Sequence, residues 1–337
     1  MKIDGALVTT ALADVPPRAT EMEQLGYDGL YTFEANHDPF FPLLLAAEHT
    51  ERVELTTAIA IAFARNPMTL ANIGYDLQLA SKGRFNLGLG TQIKPHIEKR
   101  FSMPWSQPAA RLREMVLAIR AIWANWQDRV PLDFRGEFYQ HTLMTPFFDP
   151  GPNPYGTPRI VLAGVGPRMT EVAGEVADGF MVHPFATEQS IREITMPALR
   201  RGLERSGRSL PEFEIAFPLM IATGDTDDEV ARARTSVKTQ LAFYGSTPAY
   251  KVVLDVHGWG ELQPELNRLS KQGGWDAMAG LISDEMVDAF VVSGAPEDIA
   301  KTVHDRYGDV VQRISFNAPY QADSERWARV LEGFRAG

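Results

Sequence analysis

A chain of 337 residues, 45% hydrophobic and 23% charged, has the make-up of an ordinary globular protein, long enough for one large domain or two. Its formal net charge of −10 argues against broad binding to nucleic acid or to an anionic membrane, both of which need a basic surface. The absence of cysteine excludes disulfides, thiolate metal sites and cysteine nucleophiles, and no apolar run reaches the ~18 residues of a membrane helix.

The opening stretch, MKIDGALVTT, has one lysine and an immediate aspartate, unlike a secretory signal, and fits cytoplasmic residence. From there the pattern alternates. Strands are predicted at Lys2–Val8, Asp28–Phe33, Val53–Ile61, Arg84–Gly90, Arg159–Gly164, Gly179–Val182, Phe213–Ala222 and Gln312–Asn317. Helical patterns separate them. The first runs from Pro17 to Leu25 with a Gly26 stop, and the second from Phe41 to Thr50. Pro67 opens a third, with Leu70, Ile73 and Leu77 at helical spacing and Ser81-Lys82-Gly83 closing it. Leu112, Met115, Val116, Ile119, Ile122, Trp123 and Trp126 mark one face of a long fourth helix, and Pro167 starts a fifth. Helices near Glu188–Arg205, Asp227–Tyr244, Pro296–Tyr307 and Ser324–Phe334 complete the series. Eight strands, each followed by a helix, read as a single (β/α)8 TIM barrel spanning residues 1–337.

Two stretches break the repeat. Residues 128–158 contain six prolines and read as a long loop, with room for a short hairpin near Phe134–Tyr139. Residues 245–283 form a large insertion before the last strand–helix unit, with Phe243, Tyr244, Tyr250, Trp259 and Trp275 in or beside it. These aromatics either anchor the insertion to the barrel wall or form part of a lid.

In parallel sheets ligands gather beyond the carboxyl ends of the strands, so the strand ends carry the chemistry. Gly88 and Gly90 either let a flat ligand approach the backbone or relieve packing. Lys94, Lys99 and Arg100 make the mouth beyond Gly90 locally positive; they suit an acidic ligand or are simply a solvated loop. Ala163-Gly164-Val165-Gly166 leads into a helix at Pro167, whose free N–H groups and dipole favour an anion, with Arg168 as an added charge. The spacing is not GxGxxG, which points away from a nicotinamide dinucleotide; the turn either holds the phosphate of another cofactor or is bare. Asn36-His37-Asp38 follows the second strand, where His37 can exchange a proton with a ligand or merely tie the loop. His183 lies beyond the sixth strand at the same mouth. No HExxH or other metal-ligand spacing is present, and no G-x-S-x-G supports a serine hydrolase.

Four segments, TTAIAIAFARNPMTLAN (residues 56–72), GRFNLGLGTQIKPHIEKRFSMPW (83–105), AGVGPRM (163–169) and ADGFMVHPF (177–185), together resemble the luciferase-like flavin and deazaflavin oxidoreductase superfamily, specifically its coenzyme F420-dependent branch. The resemblance covers most of the chain. It implies a barrel that binds F420, or alternatively FMN, at the strand carboxyl ends, with a non-proline cis peptide at Ala58–Ile59 behind the ring. It places Asn36, Ile61, Thr91, Gln92, Val165, Gly166, Arg168 and Met169 around the cofactor, His37 as the active-site acid–base residue and His183 at the substrate. It also implies a homodimer formed through the helices after the second and third strands. Where sugar-phosphate dehydrogenases of this branch carry a glutamate this chain has Ile93, and where they carry a phosphate-binding lysine it has Ala186. A small alcohol, ketone or enone, less charged than a sugar phosphate, is therefore the expected substrate. Two alternatives follow from the same resemblance: an FMN-dependent monooxygenase using oxygen, and a cofactor-binding protein without catalysis.

Overall fold

The computed structural model describes residues 1–8, 11–320 and 324–336. Eight parallel strands close into a barrel: β1 (Lys2–Ala6), β2 (Gly29–Thr32), β3 (Glu54–Thr57), β4 (Phe85–Gly90), β5 (Arg159–Gly164), β6 (Gly179–Val182), β7 (Glu214–Thr223) and β8 (Arg313–Asn317). Each pairs with the next in sequence, and β8 returns to β1 with Lys2 opposite Arg313, Ile3 opposite Ile314 and Asp4 opposite Ser315. This is the (β/α)8 architecture the alternating pattern predicts.

The surrounding helices are α1 (Val15–Leu25), α2 (Phe40–His49), α3 (Pro67–Ala80), α4 (Pro108–Asp128), α5 (Pro167–Val176), α6 (Met196–Arg205), α7 (Asp227–Gly245), α8 (Pro296–Tyr307) and α9 (Ser324–Ala336). Proline occupies the first turn of α3, α4, α5 and α8, where its missing N–H is harmless. The Asn66 side chain caps α3 by accepting the Thr69 N–H at 2.9 Å. On α4 the predicted apolar face is buried, and the Trp123 indole N–H donates to the Ala71 carbonyl at 3.0 Å. Helices α5 and α6 touch backbone to backbone. A Cβ on Gly174 would meet the Leu199 carbonyl oxygen at 2.4 Å, and one on Gly202 the Glu171 carbonyl oxygen at 2.0 Å.

The departures from the sequence reading have local causes. Strand β1 ends at Ala6, short of Val8. The predicted Val53–Ile61 strand divides into β3 and a short Ala60–Ile61 piece, separated by the cis Ala58–Ile59 peptide. The predicted Glu188–Arg205 helix contains a widened turn at Ile191–Thr195 before α6. A strand absent from the prediction, Val291–Gly294, pairs with the far half of β7, from Met220 to Thr223. It occupies only four residues between two helices, too few for a period to show. Residues 134–135 and 140–141 do form a small antiparallel hairpin.

The 245–283 insertion is not an open loop. It folds into helices Lys251–Val256, Leu262–Lys271 and Trp275–Ala279. Val253, Leu254, Leu266 and Met278 from these helices join Phe185 and Phe290 in a second hydrophobic core. The Phe185 and Phe290 rings stack with centroids 4.6 Å apart.

Candidate active site

Residues two apart along a barrel strand point inward in successive layers. The lowest layer here is ionic. Buried Arg313 reaches Asp4 at 2.5 Å, Glu54 at 2.7 Å and Glu214 at 3.1 Å. Gly29 leaves room for this cluster, since a Cβ there would lie 2.4 Å from an Asp4 carboxylate oxygen and 2.8 Å from an Arg313 nitrogen. Tyr31, Thr56, Val161, Met181, Ala216 and Ser315 make the middle of the inner wall. At the top the strands contribute Ala6, Ala58 and Ala163 where a packed barrel would carry large branched side chains. The result is a cavity of about 530 Å³, open at the mouth and floored by the Asp4–Arg313 pair. Its size is that of a small-molecule site.

Among the predicted residues, Ala58, Ile59 and His183 line this cavity. The Ala58 N–H donates to the Thr32 carbonyl at 2.6 Å and the Glu34 N–H to the Ile59 carbonyl at 3.1 Å, so the cis segment is stitched to the end of β2. His183 is half-buried between Tyr244 and Tyr250, with ring centroids 4.9 and 4.4 Å away. Its Nδ1 accepts the Phe185 N–H at 3.0 Å, which puts the proton of the neutral ring on Nε2. Burial pushes its pKa down to about 4, so at neutral pH it is an uncharged donor.

The other predicted residues lie around the rim. Thr91 and Gln92 follow β4 and are half-buried, with the Gln92 side chain accepting the Ile93 N–H at 3.0 Å. Val165 shares a small recess with His183 beside the main cavity. Gly166 is the N-cap of α5, and the half-buried Met169 lies in its first turn, packed against Gly164. Arg168 opens onto an outer groove with Arg113, Glu171, Glu175 and Arg205 rather than into the barrel. Ile61 is fully buried in the core, and its backbone N–H donates to Glu34 at 2.7 Å.

Asn36 and His37 are exposed on the loop after β2. That loop is pinned on both sides by Arg65, which binds Glu34 at 2.6 Å and Asp38 at 2.9 Å. Arg100 also donates to the Ala35 carbonyl, tying the β2 loop to the segment after β4. Of the positive charges predicted at the mouth, Arg100 is therefore engaged, and Lys94 faces Glu98 at 3.7 Å. The loops after β2, β4 and β5 thus open toward one end of the barrel. Sequence reasoning passed over Arg65, Tyr31, Asp4 and Arg313; the period-2 inward phase of β1, β2 and β8 was the available signal for the last three.

A family model described as luciferase-like monooxygenase matches residues 1–313. The chain belongs to that family. Within the luciferase-like family it is 57% identical to an uncharacterized protein of Mycobacterium tuberculosis (strain ATCC 25618 / H37Rv), covering 93% of this chain and 92% of the relative. It is 26% identical to the 5,10-methylenetetrahydromethanopterin reductase of Archaeoglobus fulgidus, covering 92% and 90%. Among solved structures, the coenzyme F420-dependent tetrahydromethanopterin reductase of Methanopyrus kandleri superposes with a TM-score of 0.79 at 21% identity, over 99% and 96% of the two chains. In this luciferase-like chain the small residues of the barrel's upper layer leave the space that forms the pocket.

Proposed function

We propose that this protein is a coenzyme F420-dependent oxidoreductase that transfers a hydride between the deazaflavin and a small, uncharged alcohol, ketone or enone. The observation that carries the reading is the cavity itself: small residues empty its upper layer, and its polar upper wall offers neutral donors rather than cations. Ala58, Ile59, Val161 and Ala163 give one side the flat apolar surface a tricyclic ring needs. His183, Tyr244 and Asn317 line the cavity too and supply hydrogen-bonding groups for a substrate oxygen. When bound, the reduced deazaflavin supplies a hydride. The chain's own residues hold the ring, exclude water and donate to the oxygen. Thr91, Gln92, Val165, Gly166 and Met169 would flank the cofactor, and Asn36 would meet it at the rim. The start of α5 would face its anionic part, and Arg168, turned to the outer groove, would meet only a tail that leaves the barrel.

The coenzyme F420 dependence of the Methanopyrus reductase supports the deazaflavin over FMN. The test is an anaerobic fluorescence titration with F420 and with FMN, followed by turnover of secondary alcohols and ketones. Saturable quenching with F420 and hydride transfer are expected; saturable binding of FMN alone, with oxygen uptake, would replace this reading by a monooxygenase, and binding without turnover by a non-catalytic carrier. His37 is proposed as an acid–base residue at the rim. If His37→Ala keeps full turnover with cofactor affinity unchanged, that role is withdrawn. A homodimer through α2 and α3 is proposed as the working assembly.

A further inference from the structure

The reacting group of the substrate is small, but the molecule that carries it can be longer, and one side of the barrel is open to it. We propose that the β1/β8 seam is a side port through which an apolar chain passes from the cavity into an aromatic groove outside the barrel. The substrate is then an alcohol, ketone or enone that bears a long alkyl chain. This rests on the hydride-transfer reading above and adds the body of the molecule to it.

The port is a gap in the strand ladder. Strand β1 stays paired with β2 as far as Ala6 opposite Tyr31, and the Leu7 N–H still donates to the Tyr31 carbonyl at 2.8 Å. Strand β8 stays paired with β7 as far as Asn317 opposite Met220. Between β1 and β8 the ladder stops lower, at Asp4 opposite Ser315. The residues that edge the opening above that pair are small: Gly5 and Ala6 on β1, and Ala318 just beyond β8. Gly5 has no room for a side chain, since a Cβ there would lie 2.1 Å from the Met22 methyl carbon and 3.1 Å from the Tyr27 ring.

Space lies on both sides of this gap. Inside is the cavity of about 530 Å³; outside, between the strands and helices α1 and α9, is a groove of about 550 Å³. Ala6, Phe316 and Ala318 border both, so the two spaces adjoin where the ladder is open. Met22, Tyr27, Phe316, Tyr320 and Trp327 wall the groove. The Phe316 and Trp327 rings stack with centroids 5.1 Å apart and 16° between their planes, a flat apolar face. The Tyr320 hydroxyl is already satisfied, donating to the Ile221 carbonyl and accepting the Thr223 N–H, both at 2.9 Å. Two charged side chains reach the groove, and both are paired: Arg18 with Glu21 at 2.7 Å, and Asp4 with Arg313. What is left for a ligand is hydrocarbon-like surface.

That surface selects the chain. Each methylene moved from water onto it favours binding about threefold to fourfold, whereas a polar tail would give up hydration without a partner. The cavity has the volume of a single small-molecule site and must take the cofactor ring as well as the reacting group. A long chain therefore has to leave it. Val8 and Phe33 line the cavity on the same side of the mouth and are 64% and 46% exposed, which extends the apolar surface beside the gap.

A chain-length series tests the port. With F420-loaded protein and methyl ketones of four to twelve carbons, kcat/KM should rise about threefold per methylene until the groove is filled. Ala318→Phe narrows the gap and should cut the ratio of long-chain to short-chain kcat/KM about tenfold or more. Binding is read separately from turnover. A long methyl ketone with a terminal bromine should quench tryptophan emission of the cofactor-free protein, and Trp327→Phe, which keeps a ring against Phe316, should lose that quenching. A flat chain-length profile in an active enzyme, or quenching that survives in Trp327→Phe, overturns the port and leaves the hydride-transfer reading standing. Quenching that depends on Trp327 in a protein that reduces none of the ketones supports the groove and overturns the functional reading instead.

Discussion

His183 owes its state to its own loop. The Phe185 N–H fixes Nδ1 as an acceptor, and the Tyr244 and Tyr250 rings pack against the imidazole. Its pKa lies near 4, against an ordinary 6.5, so the unfolded chain binds the proton more readily than the folded one. The stability this lends is fully present above about pH 6.5 and is lost as pH falls through about 4. Thermal melts of His183→Gln should lose that part of the acid destabilisation, and the wild type should shed about 2–4 kcal/mol more than the variant across this window. Asp4 has the opposite sign. Its raised pKa contributes stability that is complete below about 3.8 and disappears as pH rises through about 7. His183 was legible in the sequence because it follows a short strand at the predicted mouth. The Asp4–Arg313 pair was not, because its partners lie 309 residues apart and meet only when β8 closes against β1.

At the scale of elements, the loop after β2 shows how a barrel fixes a short irregular segment. Arg65, on the segment between Ala60–Ile61 and α3, grips Glu34 and Asp38, and Glu34 in turn accepts the Ile61 N–H. The guanidinium also lies 5.2 Å from the Phe40 ring centre at the start of α2. Arg65→Ala leaves the half-buried Glu34 without its partner and frees Asn36 and His37 to move. It should cost about 2–4 kcal/mol in denaturant unfolding and raise the F420 dissociation constant several-fold. An unchanged midpoint and affinity would show the clamp to be idle. Strands and helices of the barrel were readable because their apolar periods and proline starts are local signals. Two features depended on tertiary contact and were not readable: the inner packing of the 245–283 helices on Phe185, and the outward turn of Arg168.

On the scale of the whole molecule, the surface carries apolar side chains that the barrel does not need. Phe41 and Leu44 on α2 are 60% and 41% exposed, and Leu79 on α3 is 51% exposed. Because α2 and α3 pack together, a second copy could cover all three. Light scattering is expected to give a dimer mass for the wild type and a monomer mass for the Phe41→Glu/Leu44→Glu double variant, which should keep its fold because neither side chain enters the core. A monomeric wild type would remove the pairing.

The alanines around the barrel's upper rim carry one more implication. A vessel hollowed by leaving out side chains can be reshaped a methyl group at a time. Ala6, Ala58 and Ala163 already carry a Cβ toward the cavity, whereas Gly88 cannot, because a Cβ there would fall 1.7 Å from the Thr57 carbonyl oxygen. Selection on this scaffold can thus change what enters at three points while one neighbouring strand stays locked, and enzymes with different appetites can descend from it without altering its frame.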